Sequence, residues 1–379
     1  MRKFNVLCFV LFVSIYFQNI YAQKINSYLP DNNEPRALSG YKLVWSDEFN
    51  YEGKPNSQNW KYEQGFVRNE ELQWYQSDNA NCKDGVLIIE GRRDTILNPN
   101  YDATSSDWKK KRRYAYYSAS SIKTSGLQQW KYGRFEIRAR IDISKGSWPA
   151  IWTLGKSMEW PACGEIDILE FYRVSDVPTI LANFAWGTAT RWVAKWDGYK
   201  TSLSNFLVKD PEWDKKFHVW RMDWNSDSIA LYLDDELLNT VRLSNTINND
   251  GTNPFLQEHY LLLNLALGSN GGDPSQTKFP LKYEVDYARV YQVSSTNTTG
   301  VDSKYIRNYE KPEIYPIPAR SSLYIKNHEE PSMVSVLTIT GSKVFSQKAS
   351  KEINLSGLIN GVYILNIEGY RPMHFTILR

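Results

Sequence analysis

The chain has 379 residues, which is long enough for one large domain and a second, smaller one. Its 45 lysines and arginines nearly balance 42 aspartates and glutamates, so the net charge does not favour a nucleic acid or a membrane surface as partner. The 14 tryptophans and 25 tyrosines favour strands over helices. The four histidines are scattered, which excludes a zinc cluster or a Ser/His/Asp arrangement.

Residues 1–22 have the pattern of a secretory signal peptide: a charged start, an apolar stretch and a small-residue cleavage site before Gln23. The stretch is too short for a membrane anchor, and no later segment has the ~18 apolar residues of a membrane span. We therefore expect an exported, soluble protein. Cys82 and Cys163 are the only cysteines after the signal peptide, and the sequence leaves open whether they pair or remain separate thiols.

From residue 23 to 292 the chain is predicted to form one domain made of short strands. Its segments alternate apolar and polar residues and are separated by turn residues, without a long amphipathic helix. These segments are YKLVWSDEF, VLIIEGR, YGRFEIRARI, EIDILEF, HVWRMDW, IALYLDDELL, YLLLNLAL and YEVDYARVYQ. The pattern predicts an all-β fold, either a sandwich or a barrel.

The composition changes near residue 293, where a small polar stretch predicts a linker over 293–312. Residues 313–379 then carry short strand patterns and no tryptophan, which predicts a separate β-module. IYPIPARSSLYI, VSVLTITGSKV and INGVYILNI in this module resemble the C-terminal sorting domain of the type IX secretion system, although Ile317 departs from its usual Y-P-N-P-A. The resemblance implies export through that machinery. A generic immunoglobulin-like or sugar-binding module is the alternative.

The segment GEIDILEFY contains three acids, Glu165, Asp167 and Glu170, at a spacing of two and then three. On a strand, residues two apart share a face, so Glu165 and Asp167 point the same way. A β-bulge at 168–169 would insert one residue and bring Glu170 to the same face. We therefore predict three carboxyl groups side by side on one bulged strand.

Three neighbouring carboxyl groups repel one another, which must raise at least one pKa. A retaining glycosidase needs such a difference: one ionised carboxylate as nucleophile and one protonated acid for the leaving oxygen. Trp148, Trp152 and Trp160 precede the acids and offer flat apolar faces for sugar rings. An exposed strand face, or a Ca²⁺ site built from the same oxygens, is the alternative reading.

Residues 43–292 resemble glycoside hydrolase family 16. The motifs that carry the resemblance are LVWSDEF, KYGRFEIRAR, WPAIWTL, WPACGEIDILEF and PFLQEHYLLLNLALG, and the E-x-D-x-x-E spacing is that of the laminarinase branch. The resemblance implies a β-jelly-roll of two stacked antiparallel sheets with a groove along the concave face. It implies that Glu165 is the nucleophile, Asp167 the assisting residue and Glu170 the general acid/base, with no catalytic cofactor.

The resemblance also implies five substrate-binding positions. Trp160 is expected beside the scissile bond and Trp148 next to it, whereas Trp152 is expected in the core. Asn69 and Asn264 match family positions where an asparagine contacts the substrate. Trp186 is a further candidate for a sugar platform.

Many family members carry a structural Ca²⁺ on the convex side. The matching oxygen donors here are Glu48, the carbonyl group of Gly91 and Asp286. The alternative is that these acids simply stand at strand ends.

The segment 180–201 lacks the His-Tyr-Gly strand that often follows the acids in laminarinases. It contains Trp186, Trp192 and Trp196 with Arg191 and Lys195, so a marine galactan such as carrageenan, porphyran or agarose remains an alternative substrate. We expect a secreted or cell-surface monomer that hydrolyses β-1,3-glucan or mixed-linkage β-1,3-1,4-glucan. A non-hydrolytic glucan-binding protein or a transglycosylase on the same fold are the other classes.

Overall fold

The computed structural model describes residues 27–38, 40–294, 313–326, 332–338, 343–349, 351–367 and 373–379. The predicted signal peptide and most of the predicted linker lie outside the described residues. Contacts divide the chain into two compact units, Met1–Ser295 and Thr296–Arg379. No helix among the described residues is long and apolar enough to cross a membrane.

The first unit consists almost entirely of strands. They are β1 (Tyr41–Asp47), β2 (Lys61–Tyr62), β3 (Gln73–Tyr75), β4 (Ala80–Lys83), β5 (Val86–Leu97), β6 (Tyr114–Ala119), β7 (Ser121–Lys123), β8 (Gly133–Arg140), β9 (Ser147–Gly155), β10 (Glu165–Val174), β11 (Val177–Gly187), β12 (Ala194–Ser202), β13 (His218–Trp224), β14 (Ser228–Leu233), β15 (Glu236–Arg242), β16 (His259–Leu267) and β17 (Leu281–Val293). Two one-turn helices, α1 (Trp108–Lys111) and α2 (Ser204–Leu207), and 3₁₀ turns at Ser77–Asn79, Trp213–Lys215, Leu243–Asn245, Pro254–Leu256 and Ser269–Gly271 lie between them.

These strands form two stacked sheets. The ten-stranded sheet has the order β15-β14-β13-β8-β17-β5-β6-β3, with β1 beside β17 and β4 beside β5. The seven-stranded sheet has the order β12-β11-β10-β9-β16-β7-β2. Ile137 and Trp220 of the first sheet and Ile166 and Leu263 of the second belong to one buried apolar cluster. Because burying apolar surface is the main favourable term in folding, this shared core holds the sheets together and confirms the predicted all-β sandwich.

The strand β10 contains the predicted bulge. Asp167 pairs with Trp152 of β9, but Leu169 rather than Ile168 pairs with the next residue, Ile151. The register with β11 shifts at the same place. Ile168 and Leu169 are both fully buried in the core, so the extra residue returns the following side chain to the opposite face.

The second unit contains β18 (Glu313–Tyr315), β19 (Ser322–Lys326), β20 (Ser332–Thr338), β21 (Lys343–Ala349), β22 (Glu352–Asn354), β23 (Gly361–Ile367) and β24 (Met373–Ile377). The strands form a three-stranded sheet, β18-β19-β22, and a four-stranded sheet, β21-β20-β23-β24. Leu323, Val336, Leu365 and Phe375 pack in a core of this unit's own. The small C-terminal β-module is therefore confirmed as well.

Candidate active site

A groove of about 620 Å³ lies on the face of the seven-stranded sheet that points away from the core. Strands β9 to β12 and β16 form its floor, and the segments around residues 68–71, 160 and 270 add to its walls. The lining side chains are Arg68, Asn69, Glu71, Trp148, Ala150, Trp152, Leu154, Trp160, Glu165, Asp167, Glu170, Tyr172, Asn183, Trp196, Asn264 and Asn270. The groove therefore combines aromatic faces with a dense set of polar groups.

The three acids of β10 all line this groove, as the bulge requires. Asp167, in the middle, is 2% exposed, whereas Glu165 and Glu170 are only partly buried. None of them forms an ion pair with a lysine, arginine or histidine of the described residues. They accept hydrogen bonds from N–H donors, and the nearby charge of Arg68 lowers the pKa of Glu165, so the three acids do not share one environment.

Two tryptophans donate a hydrogen bond each to the outer acids. The indole Nε1 of Trp160 lies 2.7 Å from Oε2 of Glu165, and that of Trp148 lies 3.1 Å from Oε1 of Glu170. An N–H donor stabilises the ionised form of a carboxyl group. Each indole group therefore favours ionisation of the acid to which it donates, and the contact at Glu165 is the shorter of the two.

Burial raises the pKa values of all three acids, but by different routes. Burial raises the pKa of Glu170 to about 8, and the charge of Glu165 adds to this effect. Burial, Glu170 and Glu165 together hold the pKa of Asp167 well above its usual range. The pKa of Glu165 is also raised by burial, but hydrogen bonds from Trp160 and Asp167 act against the rise. Glu165 thus accepts hydrogen bonds that favour its ionised form, whereas a pKa of about 8 keeps Glu170 protonated near neutral pH.

An asparagine that we did not predict, Asn183 on β11, bridges two of the acids. Its Nδ2 group lies 3.0 Å from Oε2 of Glu170 and 3.3 Å from Oδ2 of Asp167. Gly198 of β12 pairs directly with Asn183, and a Cβ atom there would lie 2.8 Å from the Asn183 Oδ1 atom. The missing side chain at residue 198 thus leaves the room that the Asn183 amide occupies. A lone asparagine in the apolar stretch ILANFAWG was the available signal.

Several substrate-binding candidates from the sequence line the groove: Trp160, Trp148, Asn69 and Asn264. Asn264 is buried, and its Oδ1 atom accepts a hydrogen bond of 2.7 Å from Nε1 of Trp152. Its Nδ2 group donates to the hydroxyl group of Tyr75 at 3.2 Å. Asn264 therefore fixes the orientation of Trp152 on the groove floor.

One tryptophan prediction was wrong and a second holds only in part, both for reasons of strand phase. Trp152 is buried in an apolar cluster with Ala150 and Leu262, but it lines the groove rather than the space between the sheets, because it lies four residues from Trp148 on β9 and such residues share a face. Trp186 is buried in the core between the sheets and does not line the groove. It follows Ala185, whose partner in the ladder is Glu165, so its side chain points to the opposite face.

Besides Asn183, further groove residues were absent from the predicted site, among them Arg68, Glu71 and Trp196. The guanidinium group of Arg68 stacks over the Trp152 ring at 5.0 Å and forms an ion pair with Glu63. Glu71 is buried, its pKa is raised by burial, and it accepts a 2.6 Å hydrogen bond from Gln73. Trp196 stands on β12 in register with Ala185, and its side chain is 49% exposed. Cross-strand register brings Trp196 to the acids, whereas Arg68 and Glu71 reach them from a loop.

The predicted calcium donors are engaged with arginines. Glu48 accepts hydrogen bonds from Arg289 at 2.6–3.1 Å, and Asp286 forms a buried ion pair with Arg138. The Gly91 position pairs with Leu281 inside the ten-stranded sheet. Neither carboxylate is free for a cation, so these residues as arranged do not fit Ca²⁺, and the ion stays a prediction from resemblance.

Both cysteines are buried free thiols, so they do not form a disulfide with each other. Burial raises the pKa of each thiol to about 12. The thiolate is the reactive form, so neither cysteine is a nucleophile at neutral pH.

Two carboxyl groups beside indole rings in a groove, one of them with a pKa of about 8, have the arrangement of a polysaccharide-cleaving hydrolase. Comparison with known proteins agrees. Residues 71–289, more than half of the chain, match the model for glycosyl hydrolases family 16, and residues 313–372 match a secretion system C-terminal sorting domain. The chain therefore belongs to glycosyl hydrolases family 16. It is a retaining glycoside hydrolase, and its tail directs it through type IX secretion to the cell surface or the outside.

Three relatives illustrate the range of similarity. A β-glucanase of Rhodothermus marinus is 33% identical over 270 residues, which cover 66% of this chain and 85% of that protein. The structure of SCLam, a non-specific endo-β-1,3(4)-glucanase, is 32% identical with a TM-score of 0.55, covering 72% of this chain and 98% of the other. A structure from work on human gut microbiota that express endo-acting O-glycanases to initiate mucin breakdown is 34% identical with a TM-score of 0.63, covering 69% and 94%.

Proposed function

We propose that this protein is a secreted endo-β-1,3(4)-glucanase that cleaves β-1,3-glucan or mixed-linkage β-glucan. The observation that carries the proposal is the unequal hydrogen bonding of Glu165 and Glu170 on one bulged strand. The β-glucanase and endo-β-1,3(4)-glucanase among the relatives support this substrate class. Trp148, Trp152 and Trp160 give the groove flat apolar faces for successive sugar rings.

In the first step, a carboxylate oxygen of Glu165 attacks the anomeric carbon while the bond from that carbon to the leaving oxygen breaks. Glu170 gives its proton to the leaving oxygen and becomes a carboxylate. Asp167 forms a hydrogen bond with Glu165 before the reaction. This hydrogen bond weakens as Glu165 loses its negative charge to the new bond. Asn183 holds Glu170 at the reach needed for this transfer.

In the second step, Glu170 takes a proton from water, and the water oxygen attacks the anomeric carbon. The bond between that carbon and Glu165 breaks, which restores both carboxyl groups and retains the configuration. The Nη1 atom of Arg68 is buried with no hydrogen-bond partner among the described residues, although this side chain lines the groove. Arg68 also stacks over the Trp152 ring at 5.0 Å, which supports a role for Arg68 in orienting the groove floor for binding.

A second candidate substrate is a β-galactoside of the kind found in O-glycans or galactans. The structural relative from the O-glycanase work, with its TM-score of 0.63, favours it. So does the wall formed by Trp196, which stands where the sequence departs from the laminarinase pattern. Arg191 is paired with Glu159 at 2.9 Å, so it is not a free anion-binding group.

The test is oligosaccharide release from laminarin, barley β-glucan, agarose, carrageenan and mucin O-glycans by the mature chain. Rapid shortening of a glucan, abolished by Glu165→Gln, supports the glucanase. Release from the galactose-containing substrates alone would replace it with the second candidate. Binding without release from any substrate would make the protein a glucan-binding relative, and sugar transfer to added acceptors a transglycosylase. Size-exclusion chromatography of the same preparation tests the expected monomer.

A further inference from the structure

A surface outside the groove combines cations with tyrosines in the sequence WKKKRRYAYY. We define the basic–tyrosine surface by its outward side chains, which are Lys109, Lys110, Lys111, Arg113, Tyr114 and Tyr116. The lysines lie on α1 and just before β6, and the tyrosines lie on β6. The near-neutral balance of the whole chain conceals this local excess of positive charge.

The tyrosine rings of this surface form an exposed apolar face that a ligand ring could contact. Tyr114 and Tyr116 are two apart on β6, so they share a face, and their ring centroids are 6.3 Å apart. Tyr116 is 63% exposed. The Arg113 guanidinium group lies 5.6 Å from the Tyr114 ring. Beside the rings is a depression of about 330 Å³, which Leu72 and Tyr117 also line.

The cations of this surface lack the partners that other surface cations have. Within the described residues, no ion pair within 4 Å involves Lys109, Lys110, Lys111 or Arg113. By contrast, Lys156 pairs with Glu258 on the surface elsewhere. The four cations outnumber the acids beside them, Asp102 and Asp107, so an added anion gains a net attraction.

Arg112 ties this surface to the wall of the catalytic groove. Its guanidinium group donates to the carbonyl oxygen atoms of Glu70 and Glu71 and stacks on the rings of Phe66 and Trp108. Glu71 lines the groove, while the next residue, Leu72, lines the depression beside the tyrosines. One short segment therefore has the groove on one side and the basic–tyrosine surface on the other.

We propose that the basic–tyrosine surface is a second carbohydrate-binding site, which holds an anionic polysaccharide bearing sulfate or carboxylate groups. The tyrosine faces suit sugar rings, and the unpaired cations suit the anionic groups. The groove is lined by four carboxyl side chains, whereas the basic–tyrosine surface contains none. The surface would hold the enzyme on an acidic polysaccharide matrix while the groove cleaves a neutral chain. The cleavage of a neutral chain rests on the proposed glucanase function.

The test is affinity gel electrophoresis of the mature Glu165→Gln chain in gels that contain alginate, carrageenan, laminarin or no polysaccharide. One variant carries Lys109→Gln, Lys110→Gln and Lys111→Gln, and a second carries Tyr116→Ala. The matched control replaces three exposed lysines elsewhere that have no ion pair in the described chain, by Lys42→Gln, Lys83→Gln and Lys282→Gln. Alginate tests the carboxylate arm and carrageenan the sulfate arm.

We expect at least one anionic gel to retard the parent chain and laminarin to retard all chains equally through the groove. The triple lysine variant should lose affinity on the order of tenfold, more at low salt than at high salt, and the control should not. Tyr116→Ala should weaken binding at any salt concentration. Hydrolysis of short neutral glucans by the corresponding variants with Glu165 intact should be unchanged.

Three outcomes would overturn the proposal. The parent chain is not retarded by either anionic polysaccharide, or the control loses as much affinity as the triple variant. The third is that single-stranded DNA competes as well as the polysaccharide while Tyr116→Ala has no effect, which identifies a surface for any polyanion. Failure of laminarin hydrolysis by the active chain would instead count against the glucanase, so the two failures are distinguishable.

Discussion

The two sheets of the catalytic unit treat their acids in opposite ways. On the ten-stranded sheet, Asp286 pairs with Arg138, and Glu284 pairs with Arg140. On the seven-stranded sheet, the acids of the groove have no such partner among the described residues and rely on N–H donors and on each other. Removing one partner of a buried pair leaves the other charge uncompensated, so the paired acids matter for stability, whereas the pKa of about 8 at Glu170 suits proton transfer. The ten-stranded sheet therefore supports the fold, and the seven-stranded sheet carries the reacting groups.

The largest expected effect comes from removing the nucleophile. Glu165→Gln keeps the shape of the side chain and its contact with Trp160 but removes the attacking charge, so we expect kcat on laminarin to fall by ~10³-fold or more. Glu48→Gln, on the supporting side, should leave kcat within about twofold. Initial rates of reducing-sugar release measure both. Comparable losses in the two variants would contradict the division between the sheets.

The second effect concerns stability and should have the opposite pattern. Asp286→Asn leaves the buried Arg138 guanidinium group without its anion, which should lower the free energy of unfolding by about 3–5 kcal/mol. Asp167→Asn removes one of three repelling acids, so the unit should be as stable as before, or more stable, while it loses activity.

Urea titration followed by tryptophan fluorescence measures this, because all 14 tryptophans lie between Trp45 and Trp224 and therefore report the catalytic unit alone. A large destabilisation by Asp167→Asn would show that the groove acids also hold the fold.

The sequence predicted the part of this arrangement that lies within one strand. The two-plus-three spacing of the acids required a bulge, because only an inserted residue keeps Ile168 and Leu169 in the core and turns Glu170 outward. The sequence did not predict in the same way which face of the sheet each side chain occupies on the neighbouring strands. Trp186 was expected in the groove and Trp152 in the core. Each was assigned to the other face because the phase of its strand, β11 or β9, was not known from the sequence.

Contacts between strands were invisible for the same reason. Asn183 and Gly198 are 15 positions apart in the chain and meet only through the pairing of β11 with β12. Arg68 reaches the groove from a loop whose conformation no periodic pattern specifies. Resemblance to a family identifies the reacting groups, but the groups that position them depend on register.

The third prediction tests that positioning. Asn183→Ala removes the donor that positions Glu170, so we expect kcat to fall by about 10-fold to 100-fold while KM changes little. Gly198→Ala should produce part of this loss, because its Cβ atom would displace the Asn183 amide. Gly357→Ala in the C-terminal unit, where a Cβ atom meets nothing within 4 Å, is the control. Normal kcat in both groove variants would remove Asn183 from the positioning role.

The smallest effect distinguishes the two outer acids from each other. Trp160→Phe removes the N–H donor of Glu165, which raises the pKa of that carboxyl group. Because the nucleophile must be ionised, the acidic limb of the kcat/KM profile should move to higher pH by on the order of one unit. Trp148→Phe removes the donor of Glu170 and raises its pKa above about 8. Because this group must be protonated, the alkaline limb should move to higher pH.

Each tryptophan variant should therefore move one limb and leave the other in place, although both shifts have the same sign. Each outer acid has its own indole donor, which lowers the pKa of that acid alone. Asp167, between the two, forms a hydrogen bond with Glu165. If either variant moved both limbs together, the three acids would titrate as one coupled group, and no single residue could be assigned a pKa of its own. The profiles of the two variants, measured on one soluble glucan, decide between independent and shared protonation.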